Sequence, residues 1–246
     1  MGHVRNAVLE SVKIWYPAGM CGRFTLRLTP AELREFFDLF RVEDFQPRYN
    51  IAPTQMVPII RIDADGHRVA NNLRWGLLPF WAKSKAEGSK MINCRSESVA
   101  TKPAFRRAFQ ERRCIVPASG FYEWQEVEGS KQTQPYYLTL TSGDPAAFAG
   151  LWESWHDPKD DSRIETFTIL TTTATDVIGE VHDRMPITLD RSVWPVWLDS
   201  DVKEPEALQS LLVPSLDEWQ RVPVSKIVGN VKNDQPECIQ PIQLDG

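Results

Sequence analysis

Long apolar runs are missing from this 246-residue sequence, and none approaches the ~20 residues that cross a bilayer, so no membrane partner is expected. The first nineteen residues, MGHVRNAVLESVKIWYPAG, are not a secretory signal either. Arg5, Glu10 and Lys13 break any apolar block of the required ~7–15 residues. Cysteine is scarce. Cys21, Cys94, Cys114 and Cys238 form no CxxC pair and no metal-ligand spacing, so reduced thiols in a cytoplasmic protein are expected, with no metal and no cofactor. Positive charge is short as well: 28 Lys and Arg face 33 Asp and Glu, for a net charge of −5. Any nucleic-acid binding must therefore rest on a local basic face. Repeats and low-complexity linkers are absent, which leaves no internal domain boundary.

What is present describes a globular chain of many short elements. Apolar and charged fractions of 42% and 25% are ordinary, while eighteen prolines favour short strands and loops. Residues 30–40 (PAELREFFDLF) predict a helix, with Thr29 as N-cap, Pro30 in the first turn and Leu33, Phe36, Phe37 and Phe40 on one face. Segment 56–62 predicts a strand that turns at Asp63-Ala64-Asp65-Gly66 and returns along 68–74. The run 103–113 has helical spacing. Further strands are expected at 114–118, 120–125, 135–141, 146–152 and 165–172, with helices at 175–180 and 204–212. Together these predict one α+β domain, a curved antiparallel sheet or barrel-like core with peripheral helices. Trp75, Trp124, Trp152, Trp194 and Trp197 are assigned to that core.

Met20-Cys21 is the most informative dipeptide. If the chain began at Met20 and lost it, Cys21 would carry a free α-amine beside its thiol. Those two groups together can close an aldehyde into a thiazolidine ring, which an internal cysteine cannot do. Residues 1–19 are then an early-called start, a removed segment or a genuine tail.

Five further islands follow: Arg48-Tyr49-Asn50-Ile51-Ala52-Pro53, Asn93-Cys94-Arg95-Ser96-Glu97, Gly120-Phe121-Tyr122-Glu123-Trp124, His182-Asp183-Arg184-Met185-Pro186, and a closing set from Val222 to Asn233. With the run Met20-Cys21-Gly22-Arg23-Phe24, their combination and order resemble the SRAP (SOS response-associated peptidase) family, whose members capture abasic sites in single-stranded DNA. The likeness runs over 20–242 and leaves out the 1–19 extension.

The resemblance implies a DNA-damage protein that crosslinks to abasic sites through an N-terminal cysteine, lyase-like and single-turnover. It makes Cys21 the nucleophile and Asn93, Glu123 and His182 its catalytic partners. Its DNA-binding positions fall on Arg23, Arg48, Pro53, Phe80, Trp81, Arg95 and Arg184, with the arginines on phosphates and Pro53, Phe80 and Trp81 against bases. The implied partner is single-stranded DNA containing abasic sites, the expected state a monomer, and the expected location the cytoplasm, on the nucleoid when bound to DNA. An α-amine suits the first step because its pKa of ~7.7–8.0 leaves a useful fraction free at neutral pH, unlike lysine at ~10.4. His182, with a reference pKa of ~6.5, suits an acid that opens the sugar ring.

The residues leave two other readings open. One is a thiol autopeptidase that releases residues 1–20, and the other a non-enzymatic reader of single-stranded or modified DNA in which Cys21 only packs. Each island residue also has a plainer role: Glu123 on a solvent-facing strand edge, His182 capping a turn, Asn93 in a turn, and Phe80 in the core. Cys94, between Asn93 and Arg95, is expected to point the other way into the core. If the basic islands form a groove on this acidic body, binding to single strands is expected to weaken steeply between low and moderate salt. A flat salt response in fluorescence-anisotropy titrations would remove the groove.

Overall fold

A computed structural model describes residues 22–130, 132–213 and 218–244. Cys21 and the 1–19 segment lie outside the described residues. In chain order the strands are β1 (Phe24–Leu26), β2 (Arg41–Val42), β3 (Arg48–Ile51), β4 (Met56–Ile62), β5 (Arg68–Trp75), β6 (Asn93–Arg95) and β7 (Arg113–Ala118). They continue with β8 (Gly120–Glu126), β9 (Thr133–Leu140), β10 (Ala146–His156), β11 (Arg163–Thr173), β12 (Arg184–Pro186) and β13 (Trp219–Pro223). Short helices lie between them: α1 (Pro30–Phe37), α2 (Arg106–Glu111), α3 (Asp176–Gly179), α4 (Trp194–Leu198) and α5 (Pro205–Ser210). None of the described helices is long and apolar enough to cross a membrane.

The hydrophobic pattern works out as two linked sheets. Strand β4 pairs with β5 and with β7, β7 with β10, β10 with β11, and β11 with β5, which closes a five-strand barrel. The closing seam is parallel (Thr166 with Arg74, Phe167 with Trp75), so the barrel is mixed where the sequence pattern predicts an antiparallel sheet. The second sheet is antiparallel, in the order β13-β9-β8-β1-β3. β7 passes into β8 through the single residue Ser119, so one continuous segment bends from barrel to sheet. The core between them holds Phe24, Leu26, Phe121, Phe148, Phe167 and Trp75, all fully buried. A Cβ at Gly76 would come within 2.5 Å of the Gly88 carbonyl oxygen, and its φ of +117° is one only glycine takes easily. That contact pins the loop 77–92 against the barrel.

Local signals and outcomes differ in two places. Thr29 caps α1 in a capping box with Glu32, as the sequence predicts, but the helix ends at Phe37. Asp38 then turns in the left-handed region, and Phe40 leaves the apolar face to stack on His67 at 4.1 Å, 61% exposed. The run 103–113 is helical only over α2. Arg113 already belongs to β7, buried, with its guanidinium on the carbonyls of Phe109, Gln110, Trp197 and Asp199. Trp75, Trp194 and Trp197 are buried, while Trp124 and Trp152 are half-buried at the core's margin.

The N-terminal end of β1 is fixed by the far end of the chain. Asn50 on β3, fully buried, accepts from Arg23 Nη1 at 2.8 Å. Its amide donates to the carbonyls of Val228, Asn230 and Asn233 at 3.0, 3.1 and 2.7 Å, sharing two hydrogens among three acceptors. Asp234 takes the backbone N–H groups of Tyr49 and Asn50 and the side chain of Arg48. Asn50→Ala would remove one acceptor from a buried guanidinium and the amide donor from three carbonyls. It is expected to lower stability by about 2–4 kcal/mol, since each buried polar group left unsatisfied costs ~1–3 kcal/mol. The denaturant midpoint measures it, and a loss under ~0.5 kcal/mol would show the hub to be dispensable.

Candidate active site and nucleic-acid interface

Two edges of β11 and one end of the second sheet bring the predicted residues together. On one edge, β6 runs parallel to β11, with Asn93 opposite Ile169 and Arg95 opposite Thr171. On the other, β12 pairs antiparallel, with Arg184 opposite Thr173. Alternation along β6 leaves Asn93 half-buried, turns Cys94 into the core and exposes Arg95. Burial pushes the Cys94 thiol up to about 12, so it is inert.

Glu123 comes from the second sheet. Phe24 pairs with both Phe121 and Ile51, and the antiparallel register brings Gly22, Glu123 and Pro53, each two residues further on, to one end of that sheet. At the other, starting end of β8, a Cβ on Gly120 would meet the Leu138 carbonyl at 2.6 Å, so glycine lets β8 and β9 pack closely there. The segment 176–183 lies against the Glu123 end, where Gln125 Nε2 donates to the Glu180 carbonyl at 2.8 Å.

Electrostatics set this carboxyl apart. Glu123 is only 4% exposed, and its Oε1 accepts no hydrogen bond among the described residues. Burial, and then the nearby Asp183 carboxylate, push it up to about 8. It is thus largely protonated at neutral pH. His182, half-buried, receives the Arg184 backbone N–H on Nδ1 at 3.0 Å. That lone pair is then in use, so the neutral ring carries its proton on Nε2. The Asp183 oxygen 3.1 Å from the same nitrogen becomes an ion pair only if Nδ1 is protonated instead.

The predicted DNA contacts separate into two groups. Phe80 and Trp81 are 69% and 45% exposed and meet edge to face at 4.9 Å on the loop 77–92. That loop is anchored by Leu78 N–H on Thr166 Oγ1 and by Trp155 Nε1–H on the Ala82 carbonyl, and it runs directly into Asn93. Arg95 is exposed. By contrast, Arg23 is buried on Asn50 and the Val228 and Gly229 carbonyls, and Arg48 holds Asp234 and Gln55. Arg184 is buried in a fork with Glu97 and donates to the Thr171 carbonyl. Of the four arginines expected on DNA, three are therefore already engaged by protein. Pro53 is buried, beside Thr54 at φ 75°.

The family model for SOS response associated peptidase (SRAP) matches residues 20–231.

The chain belongs to the SRAP family.

Among SRAP relatives, it is 39% identical over 228 residues to the abasic site processing protein YoqW of Bacillus subtilis, covering 90% of this chain and 99% of that one. It is 32% identical over 267 residues to the abasic site processing protein HMCES of Gallus gallus, covering 92% and 79%. A solved structure from Bacteroides thetaiotaomicron shares the fold with a TM-score of 0.78 at 22% identity, over 91% of this chain and all of that one. One from Bordetella bronchiseptica gives 0.71 at 25%, over 83% and 100%.

Sequence reasoning did not find Asp183 as the charge facing Glu123, nor Asn50 and Asp234 as the hub; each acts across a gap in sequence that no local pattern spans. As for metals, the grouping of Asp63, Asp65 and His67 lies in the half-exposed to exposed β4–β5 turn, where Asp63 Oδ1 already accepts two turn amides.

The raised carboxyl gives a signed prediction. Folded Glu123 keeps a proton that an unfolded glutamate releases near ~4.3, so its burial favours folding fully below that pH. That contribution is lost as pH rises towards about 8. Glu123→Gln is expected to melt above the parent at pH 9, by ~2–4 °C for each kcal/mol gained, with the gap closing by pH 5. An equal gap at both values in thermal scans would mean that Glu123 does not titrate in this range.

Proposed function

We propose that this protein captures abasic sites in single-stranded DNA by covalent linkage to Cys21, once that residue carries a free α-amine. The α-amine nitrogen adds to the open-chain aldehyde carbon of the deoxyribose and gives a carbinolamine. Loss of water leaves a Schiff base. The thiol sulfur then adds to the imine carbon, the nitrogen takes the proton, and a thiazolidine closes. Carrying amine and thiol on one residue makes the last step intramolecular.

The observation that carries this reading is the buried, proton-holding Glu123 at the same sheet end as Gly22, the residue that follows Cys21. A carboxyl near 8 is matched to an α-amine at ~7.7–8.0, so a proton moves between them at little cost in either direction. Such a group relieves the amine of its proton and returns one to the departing water. His182, with Nε2–H as donor, assists sugar ring opening, and Asn93 orients the sugar through its amide. Phe80 and Trp81 offer base-stacking faces, each worth ~1–3 kcal/mol regardless of sequence, and Arg95 meets phosphate. Arg23, Arg48 and Arg184 serve the same surface through the segments they hold. The names of the SRAP relatives support the abasic-site chemistry.

The free amine requires that residues 1–20 be absent. Self-cleavage is one route: the Cys21 thiol adds to the Met20 carbonyl, the Met20–Cys21 C–N bond breaks with the nitrogen taking the proton, and water hydrolyses the resulting thioester; translation from Met20 followed by removal of that methionine is another. Intact mass of the 246-residue chain before and after incubation distinguishes them. Protein starting at Cys21 is expected to form a denaturation-resistant adduct with an abasic oligonucleotide, and Cys21→Ala to lose it by at least ~100-fold. The uncleaved chain is expected to bind the oligonucleotide without forming the adduct. An undiminished adduct in Cys21→Ala would refute the mechanism.

A further inference from the structure

Glu97 has no role in the chemistry above, yet it holds Arg184, whose backbone touches one of the proposed catalytic groups. It lies in the single turn Ser96–Ser98 that follows β6, two residues after Arg95 and four after Asn93. Its side chain does not go to Arg95. Both carboxylate oxygens instead meet the guanidinium of Arg184 at 2.6 and 2.9 Å, a two-bond fork. Arg184 Nη2 also donates to the Thr171 carbonyl at 2.7 Å, in the middle of the β11 stretch shared by β6 and β12. The fork therefore spans the end of β11 and ties the segment of Asn93 to the segment of His182.

We propose that Glu97 is a positioning residue for His182, acting through Arg184. The route is short. Arg184 presents its backbone N–H to His182 Nδ1 at 3.0 Å, and that bond selects the tautomer with a proton on Nε2. The Arg184 backbone is held on one side by its pairing with Thr173 and on the other by its buried side chain. Among the described residues, Glu97 supplies the one carboxylate that pairs with that side chain, and Arg184 Nε makes no hydrogen bond. Glu97 is 53% exposed in its side chain, so an ordinary surface pair there would matter little. The difference is the partner, since losing Glu97 leaves a buried guanidinium without its counter-charge. The same fork holds the Glu97 carboxyl below the usual glutamate range, chiefly by the Arg184 hydrogen bonds, so it stays ionised at working pH.

The rival explanation is that Glu97 merely repels phosphate beside Arg95, and the two predict opposite behaviour. This inference rests on the proposed chemistry for its rate arm, but its spectroscopic arm does not. In the 246-residue chain labelled with 15N-histidine, His182 is expected to show a single Nε2–H tautomer, and Glu97→Gln to show a mixture. In protein starting at Cys21, Glu97→Gln is expected to slow adduct formation about tenfold at saturating abasic oligonucleotide. Affinity for a non-reactive tetrahydrofuran-site oligonucleotide, and its salt slope, are expected to stay unchanged. Glu97→Asp, which keeps the charge, is expected to recover part of the rate and the single tautomer, and it replaces Glu97→Gln should the latter not fold. An unmoved His182 spectrum, or tighter DNA binding at unchanged rate, overturns the proposal. If no variant, parent included, forms an adduct, the proposed function fails while the spectra still decide the role of Glu97.

Discussion

The candidate site depends on one buried side chain amide, that of Asn50. It is the point where Arg23 at the head of β1, the middle of β3 and the carbonyls of the C-terminal segment meet. A carboxamide suits the place because it accepts from a guanidinium at one end and donates at the other without bringing in a charge. Without it, the Arg23 guanidinium would lose its side-chain acceptor on β3, and the start of β1 would lose its tie to the C-terminal segment through β3. Gly22, Glu123 and Pro53 share an end of the sheet because this junction holds β1 between β3 and β8.

The second sheet thus contributes a rigid, dry position, and the barrel contributes the groups that face it. Glu123 is driven towards its protonated form mainly by loss of water and only secondarily by Asp183. The order matters, because a charge can be screened by salt whereas burial cannot. The half-buried imidazole obtains its tautomer from a backbone amide, a donor that does not titrate.

Much of the local structure could be read from the residues. The Thr29–Glu32 capping box, the β4 strand over 56–62 with its turn at Gly66, and the inward face of Cys94 all follow from spacing and residue type. The failures share a cause, which is distance along the chain. Phe40 fits the helical stripe, yet a ring at His67 takes it. The parallel seam joins β5 to β11 across most of a hundred residues, and no periodicity signals a partner that remote. Alternation allows Glu123 to face solvent; what buries it is the packing around it, and what charges its surroundings is Asp183, sixty residues on. Sequence proximity pairs Glu97 with Arg95, while the structure pairs it with Arg184. Arg23, Arg48 and Arg184 look alike as cations in a list, and only coordinates show what each already holds.

The bond from Arg23 to the Val228 carbonyl also has a meaning in time. It joins residues 205 positions apart, so a chain emerging from the ribosome carries its first strand long before the partner that fixes it. At ~5–20 residues per second the interval is roughly 10–40 s. Over that interval the nascent protein lacks the brace that orients β1, and Glu123 lacks the neighbour that settles its sheet end. The sheet end that holds Gly22 and Glu123 is thus completed only with the end of synthesis, and a product truncated before Val228 lacks that junction.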